Sequence, residues 1–257
     1  IFARARERGV TIFSSPFDET AVDLLAGLDA PAYKIASFEA VDLPLIRYAA
    51  AKGKPLIIST GMANEAEMIA ARDAALSAGA QGVVMLHCVS SYPATFGDAN
   101  VRTIPDMAQR LSTVIGLSDH TPGSAASVAA VALGACVIEK HFTLARADGG
   151  PDAAFSLEPA EFTALVRDCK DAWSALGRAH YDILGSERGS LLFRRSLYVT
   201  ADVKAGEPLS RANVRSIRPG NGLAPVHLDA VLGRTATRDI ARGEPLAWDM
   251  VAGGQPA

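Results

Sequence analysis

Six apolar runs punctuate the first two thirds of the chain, at residues 11–15, 32–37, 55–59, 82–88, 113–119 and 136–142. They are nearly continuous rather than alternating, as expected of strands covered on both faces. Stretches with helical spacing of apolar positions follow them, at about 18–28, 42–52, 64–79, 101–111, 122–134 and 159–176. Such βα alternation predicts an α/β fold with a parallel sheet wrapped by helices. Polar residues gather where the runs end: Ser15, Ser37 with Glu39, Ser59 with Thr60, Ser90 with Ser91, Ser118 to His120, and His141. A site fed by every strand end is the arrangement of a (β/α)8 TIM barrel. Six units are two short of eight, and Ile1 to Arg8 reads as the tail of a helix. The expectation is a barrel lacking its first two βα units, roughly 60 residues at ~30 per unit.

After about residue 180 the pattern becomes β-like with many turn signals. Asp202-Val-Lys-Ala-Gly-Glu-Pro-Leu209 recurs as Asp239-Ile-Ala-Arg-Gly-Glu-Pro-Leu246, at a constant offset of 37. Two copies are too few for a solenoid but suit a small β-domain of pseudo-twofold construction. The expected division is a barrel domain over 1–182, a linker over 183–194 and a β-domain over 195–257.

Two histidines lie 21 residues apart, in Gly116-Leu-Ser-Asp-His120 and Val137-Ile-Glu-Lys-His141. Each follows a strand, and 121–135 reads as the helix between. A β–α–β unit of this length sets its strands parallel and adjacent, about 4.8 Å apart. Both imidazoles then emerge at one carboxyl edge, within reach of a single metal ion. Asp119 and Glu139 are nearby acids that could set the imidazole tautomers. His87, inside a strand, reads as structural.

Composition narrows the classes. The 49% hydrophobic content supports a full core, and mixed charge with a net of −3 offers no polyanion-binding or membrane-binding face. No apolar run approaches the ~20 residues of a bilayer span. Cys88, Cys136 and Cys169 lack metal or redox spacing. The first two read as small core residues, and a cytoplasmic location fits.

Several strings, in order, resemble the sialic acid (nonulosonate) synthases: Ser14-Ser-Pro-Phe-Asp18, Tyr33-Lys-Ile-Ala-Ser-Phe-Glu39, Ser59-Thr-Gly-Met62, Cys88-Val-Ser-Ser-Tyr-Pro93, Gly116-Leu-Ser-Asp-His120 and Glu139-Lys-His-Phe142. The tail resembles their antifreeze-like β-clip (SAF) domain, down to Arg218-Pro-Gly-Asn-Gly222. Lys34-Ile-Ala-Ser-Phe-Glu39 and Asp152-Ala-Ala-Phe-Ser-Leu-Glu-Pro159 look most like the pseudaminic acid branch.

The resemblance implies condensation of phosphoenolpyruvate with an open-chain N-acylated amino sugar, with release of phosphate. It implies a divalent metal, Mn²⁺ or Mg²⁺, on His120 and His141. It implies phosphoenolpyruvate binding by Lys34 with Ser15, Ser37, Ser59, Ser90, Ser118 and Phe17. Lys34 would be costly inside a barrel without an anion, whereas a serine after a strand is as often a helix cap. The resemblance assigns Glu39, Tyr92 and Asp152 to the sugar, with Glu39 helping proton transfer. Arg218 would reach from the SAF domain over the partner subunit's barrel to the N-acyl group, in a domain-swapped homodimer. The family's glutamate and lysine from its first two barrel strands have no counterpart in this sequence. Two other readings stand beside this one: an N-acetylneuraminate or legionaminate synthase, and a non-catalytic, sugar-binding relict barrel.

Overall fold

The computed structural model describes residues 1–256 and divides into two units, Ile1–Arg178 and the part from Ala179 onward. In the first, helices α1 (Phe2–Glu7) and α2 (Glu19–Gly27) precede a regular alternation. It runs β1 (Tyr33–Ile35), α3 (Leu43–Ala50), β2 (Leu56–Ser59), α4 (Glu65–Ser77), β3 (Val83–Cys88), α5 (Thr103–Leu111), β4 (Val114–Asp119), α6 (Ala125–Ala132), β5 (Val137–Lys140) and α7 (Pro159–Leu176). Local chemistry starts these helices. The Asp18 and Asp42 carboxylates accept the N–H groups of Ala21 and Leu45, and Asn64 and Glu67 cap α4 reciprocally.

The strands form one parallel sheet in the order β1-β2-β3-β4-β5. A doubly wound sheet reverses its strand order, so this unbroken order belongs to a singly wound arc. Run 11–15 does not become a strand. It contributes one parallel bridge, Ser14 to Tyr33, because only the Lys34 N–H reaches the Ser14 carbonyl, at 3.1 Å. The expected six strands are thus five plus a bridge. Leu157 makes a matching bridge to Phe142 at the other edge.

Strand alternation sorts the sheet into two faces. Tyr33, Ile35, Leu56, Ile58, Val83, Met85, Ile115 and Leu117 pack with α2 to α6 in one apolar core. The intervening positions fall on the other face in registered rows: Lys34 with Ile57 and Val84, then Ser59 with Leu86, Gly116 and Val137, then Cys88 with Ser118 and Glu139. Gly116 is required there. A Cβ on it would lie 2.4 Å from the Val137 carbonyl and 2.6 Å from Leu86 Cδ2.

The second unit has a short antiparallel pair, β6 (Ser196–Val199) with β7 (Val214–Ile217), and one turn of helix, α8 (Leu228–Val231). Its organisation is the 37-residue echo made spatial. Val203 and Ile240 exchange backbone hydrogen bonds at 2.9 and 2.8 Å. Asp202 accepts the Arg242 N–H at 2.8 Å while Asp239 accepts that of Ala205 at 2.9 Å. Glu207 and Glu244 each accept the N–H three residues before them. Every one of these pairs maps onto its counterpart by the same offset. Residues 185–193 form a 3-10 segment in this unit, tied by the Gly220 N–H to the Leu192 carbonyl.

Candidate active site

The inner face of the arc sets Lys34, Ser59, Cys88, Ser118 and Glu139 among apolar Ile57, Val84, Leu86 and Val137. Lys34, 7% exposed, donates from Nζ to Ser59 Oγ at 2.7 Å and to the Ile35 carbonyl at 3.3 Å. Its ammonium also lies 3.6 Å from Glu139 Oε1. Glu139 Oε1 accepts from Ser118 Oγ at 2.6 Å. Ser37, buried at the start of a 3-10 turn after β1, accepts the Gly61 N–H at 3.1 Å and lies 3.5 Å from Cys88 Sγ. Cys88 Sγ in turn stands 4.0 Å from Ser90 Oγ and 3.9 Å from His120 Nδ1. Polar contacts therefore run from Lys34 and Ser59 to Glu139 and Ser118, and from Ser37 through Cys88 to Ser90 and His120.

His120 and His141 do converge. Their ring centroids are 5.2 Å apart in an edge-on arrangement. His120 Nδ1 bonds to the Val89 carbonyl at 2.8 Å. That carbonyl can only accept, so Nδ1 carries the proton of the neutral ring and Nε2 keeps its lone pair. Tyr92 packs on His120 with centroids 4.3 Å apart, and Phe155 packs edge-on against His141 at 5.0 Å. Asp152 Oδ2 lies 3.6 Å from His141 Nδ1. Among the described residues no group of three or more His, Cys, Asp or Glu side chains is arranged to hold a metal ion; the histidine pair offers two ligands.

The electrostatics follow from burial and neighbours. Burial pushes the Lys34 ammonium below its ordinary pKa, with Glu139 opposing. Burial also opposes charge on His120, yet the Cys88 thiol and the Val89 carbonyl together hold its pKa above the usual imidazole value. Burial and the adjacent His120 push His141 below that value. Burial raises the Cys88 thiol, but hydrogen bonds from His120 and Ser37 outweigh it and the net shift is downward.

Other residues singled out in the sequence stand further off. Glu39 follows Ser37 in the same turn, and its Oε2 is buried without a hydrogen-bond partner among the described residues. Ser15 is half-buried and Phe17 is 66% exposed, both before α2, and neither side chain bonds to the cluster. Arg218 is an exposed residue of the second unit.

Three readings need correction. Cys136, expected as a small core residue, is exposed. Asp119 makes no hydrogen bond to an imidazole: its carboxylate points to the helix side of the sheet, where it pairs with Lys140 at 2.9 Å. Glu139 faces inward but bonds to Ser118 and Lys34, not to a histidine ring. Cys88 belongs to the site as well as to the buried set. It is the last residue of β3 and the register partner of Ser118, on the inner face. Phe155 lies within the string 152–159, and a 3-10 turn rather than a strand delivers it to His141. His87 is structural as read, with Nε2 2.7 Å from the Ala99 carbonyl.

Residues 1–181 match the family model described as the NeuB family, and residues 194–252 match the SAF domain. A pseudaminic acid synthase of Campylobacter jejuni is 42% identical over 246 residues, 96% of this chain and 72% of the relative. An N,N'-diacetyllegionaminic acid synthase of the same species is 37% identical, over 95% of this chain and 74% of the relative. The crystal structure of the spore coat polysaccharide biosynthesis protein SpsE of Bacillus subtilis superposes with a TM-score of 0.65 at 32% identity, covering 99% of this chain and 76% of that one. The chain belongs to the NeuB family and carries a SAF domain after its α/β unit.

Proposed function

We propose that this protein condenses phosphoenolpyruvate with an open-chain 2,4-diacetamido-2,4,6-trideoxy hexose, giving pseudaminic acid and phosphate. The observation that carries the reading is the polar inner face, which brings a buried lysine and a set of hydroxyls up to a pair of histidines. The ammonium of Lys34 and the hydroxyls of Ser37, Ser59, Ser90 and Ser118 suit the two anionic groups of phosphoenolpyruvate. Gly61 keeps this cradle open, since a Cβ there would lie 2.1 Å from Ser90 Oγ and 2.8 Å from Ser37 Oγ. Ser15 and Phe17 complete its wall.

His120 and His141 fit a divalent metal, Mn²⁺ or Mg²⁺, through neutral ring nitrogens, and the depressed pKa of His141 favours that form. When bound, the ion supplies a Lewis acid for the aldehyde oxygen. C3 of phosphoenolpyruvate forms the new bond to the aldehyde carbon, water adds at C2, and phosphate leaves by C–O cleavage. Glu39, with its unpartnered buried oxygen, binds a sugar hydroxyl and moves the proton at the aldehyde end. Tyr92 and Asp152 border the sugar. Arg218 of a partner subunit takes the N-acyl carbonyl, which makes the working form a domain-swapped homodimer. The sheet is the greater part of a (β/α)8 barrel. Three free thiols suit a reducing cytoplasm, and among the described residues no helix is long and apolar enough to cross a membrane.

The test is phosphate release with phosphoenolpyruvate and Mn²⁺. The 2,4-diacetamido-2,4,6-trideoxy-altrose, the corresponding legionaminate acceptor and N-acetylmannosamine are offered in parallel. Turnover with the first alone is the expected result. Turnover with another alone keeps the chemistry and overturns the acceptor, and silence with all three overturns the reading.

A further inference from the structure

Behind the two histidines, on the helix side of the sheet, lies a second polar cluster, whose side-chain hydrogen bonds among the described residues run to Thr121 and Ser127 and not to the inner-face side chains. Asp119 and Lys140 are register partners on β4 and β5. Their side chains are each 1% exposed and meet at 2.9 Å. Asp119 Oδ1 accepts the Thr121 N–H at 2.8 Å and its hydroxyl at 2.7 Å, and Oδ2 accepts from Ser127 Oγ of α6 at 2.6 Å. Lys140 Nζ also donates to the Thr121 carbonyl. The residue before His120 and the residue after it are thus both fixed by one ion pair. The residue before His141 is the other member of that pair.

A buried ion pair is a weak source of stability, because desolvation offsets most of its attraction and apolar residues of similar volume often do as well. What this pair does supply is geometry. It ties β4 to β5 at the last registered row, one residue before each imidazole, and closes the turn at Thr121. We infer that Asp119 and Lys140 are positioning residues that hold His120 and His141 at their mutual distance. The inference rests on the proposed metal role of the two histidines.

The test uses the full chain and compares the parent with the volume-conserving double variant Asp119→Leu/Lys140→Met. Three quantities are read: Mn²⁺ affinity by electron paramagnetic resonance, phosphoenolpyruvate affinity without metal, and the nuclear Overhauser contact between the His120 and His141 rings in metal-free protein. The double variant is expected to keep its melting temperature and its phosphoenolpyruvate affinity. It should lose Mn²⁺ affinity about 10- to 100-fold, the usual effect of removing groups that orient metal ligands, and lose the ring-to-ring contact. Retention of both Mn²⁺ affinity and the ring contact overturns the inference. Should that double variant fail to fold, Asp119→Asn/Lys140→Met removes both charges while keeping the shape of residue 119, and is read the same way. A parent that shows the ring contact but binds no Mn²⁺ removes the metal reading, and the ring contact alone then decides the positioning role.

Discussion

Lys34 on the first strand of the arc and Glu139 on the last approach to 3.6 Å. Four strand spacings of about 4.8 Å would separate those strands by about 19 Å in a flat sheet. Two side chains cannot bridge that gap, so the contact measures how far the sheet curls. The proposed function puts this contact at the floor of the phosphoenolpyruvate site.

Lys34→Met is therefore expected to abolish phosphoenolpyruvate binding while lowering stability modestly. Stranding one partner of a fully buried pair costs about 3–5 kcal/mol. Glu139 is 39% exposed at its side chain, so solvent should reduce the cost to about 1–2 kcal/mol. Lys34→Met/Glu139→Gln should recover most of that stability and none of the binding. Urea denaturation and calorimetric titration separate the two quantities, and a double variant that binds phosphoenolpyruvate would remove Lys34 from the site.

The depressed pKa of Lys34 gives binding a pH signature. Burial lowers it below the ordinary lysine value of 10.5 in the folded chain. Between the folded and unfolded values the native state holds fewer protons than the unfolded state, so this group's contribution to stability rises with pH through that window. An anionic ligand reverses the shift by favouring the ammonium. Phosphoenolpyruvate binding above the folded pKa should then take up protons, and affinity should fall as pH rises. Calorimetry in buffers of different ionisation enthalpy reads the uptake directly; a buffer-independent heat across the alkaline range would contradict it.

Much of this was legible in the sequence, and the exceptions share a cause. Helices α2 to α7 lie inside the stretches marked by apolar spacing, and five apolar runs became strands. The convergence of His120 and His141 followed from one β–α–β unit. Run 11–15 has strand composition, yet only Ser14 finds a partner, since pairing depends on the neighbour and not on the run itself. The misassignment of Asp119 and the undervaluing of Cys88 are errors of parity. Asp119 is one residue from His120 and so faces away from it, while Cys88 is in register with Ser118 and faces with it. In a strand covered on both faces, hydropathy does not reveal which face is which; the register does. Phe155 and the Val89 carbonyl act through loop geometry that no residue type encodes.

Cys88 should tune His120. Its thiol, with the Val89 carbonyl, raises the His120 pKa against the effect of burial. A pKa above the unfolded value contributes stability that is full below the unfolded pKa and is lost as pH rises through the folded one. Cys88→Ala should remove part of the lift, so that His120 titrates lower in metal-free protein by NMR. Protons then compete less with a metal, and apparent Mn²⁺ affinity near pH 6 should rise. An unchanged His120 titration would assign the whole effect to the Val89 carbonyl.

Gly116→Ala tests how tightly β4 and β5 must approach. The added methyl would meet the Val137 carbonyl at 2.4 Å and Leu86 Cδ2 at 2.6 Å. Leu86 can turn, but the carbonyl is fixed by the strand. The expected loss of stability is about 1–3 kcal/mol, typical of overpacking a core. Because β4 and β5 deliver both histidines, metal binding should weaken more than this loss of folded protein explains. A variant of parental stability and parental Mn²⁺ affinity would show that the two strands have room to separate.

The pseudo-twofold construction of the SAF unit makes a sharper demand, because it predicts equivalence between positions far apart in sequence. Val203 and Ile240 exchange hydrogen bonds on the local axis, each is 1% exposed, and both belong to the unit's single apolar core. Leu209 and Leu246, also related by the 37-residue offset, are both fully buried in it. Truncation at either copy removes the same kind of contact from the same core. Leu209→Ala and Leu246→Ala should each cost about 2–5 kcal/mol, the range for a buried leucine, and differ by less than about 1 kcal/mol from each other. A unit this small has little stability to lose, so either variant should unfold the second unit while the α/β unit keeps its own melting transition. Calorimetry of the full chain resolves the two transitions. A large effect at one leucine with none at the other would mean that the repeat survives in the sequence and backbone but no longer in the energetics of the core.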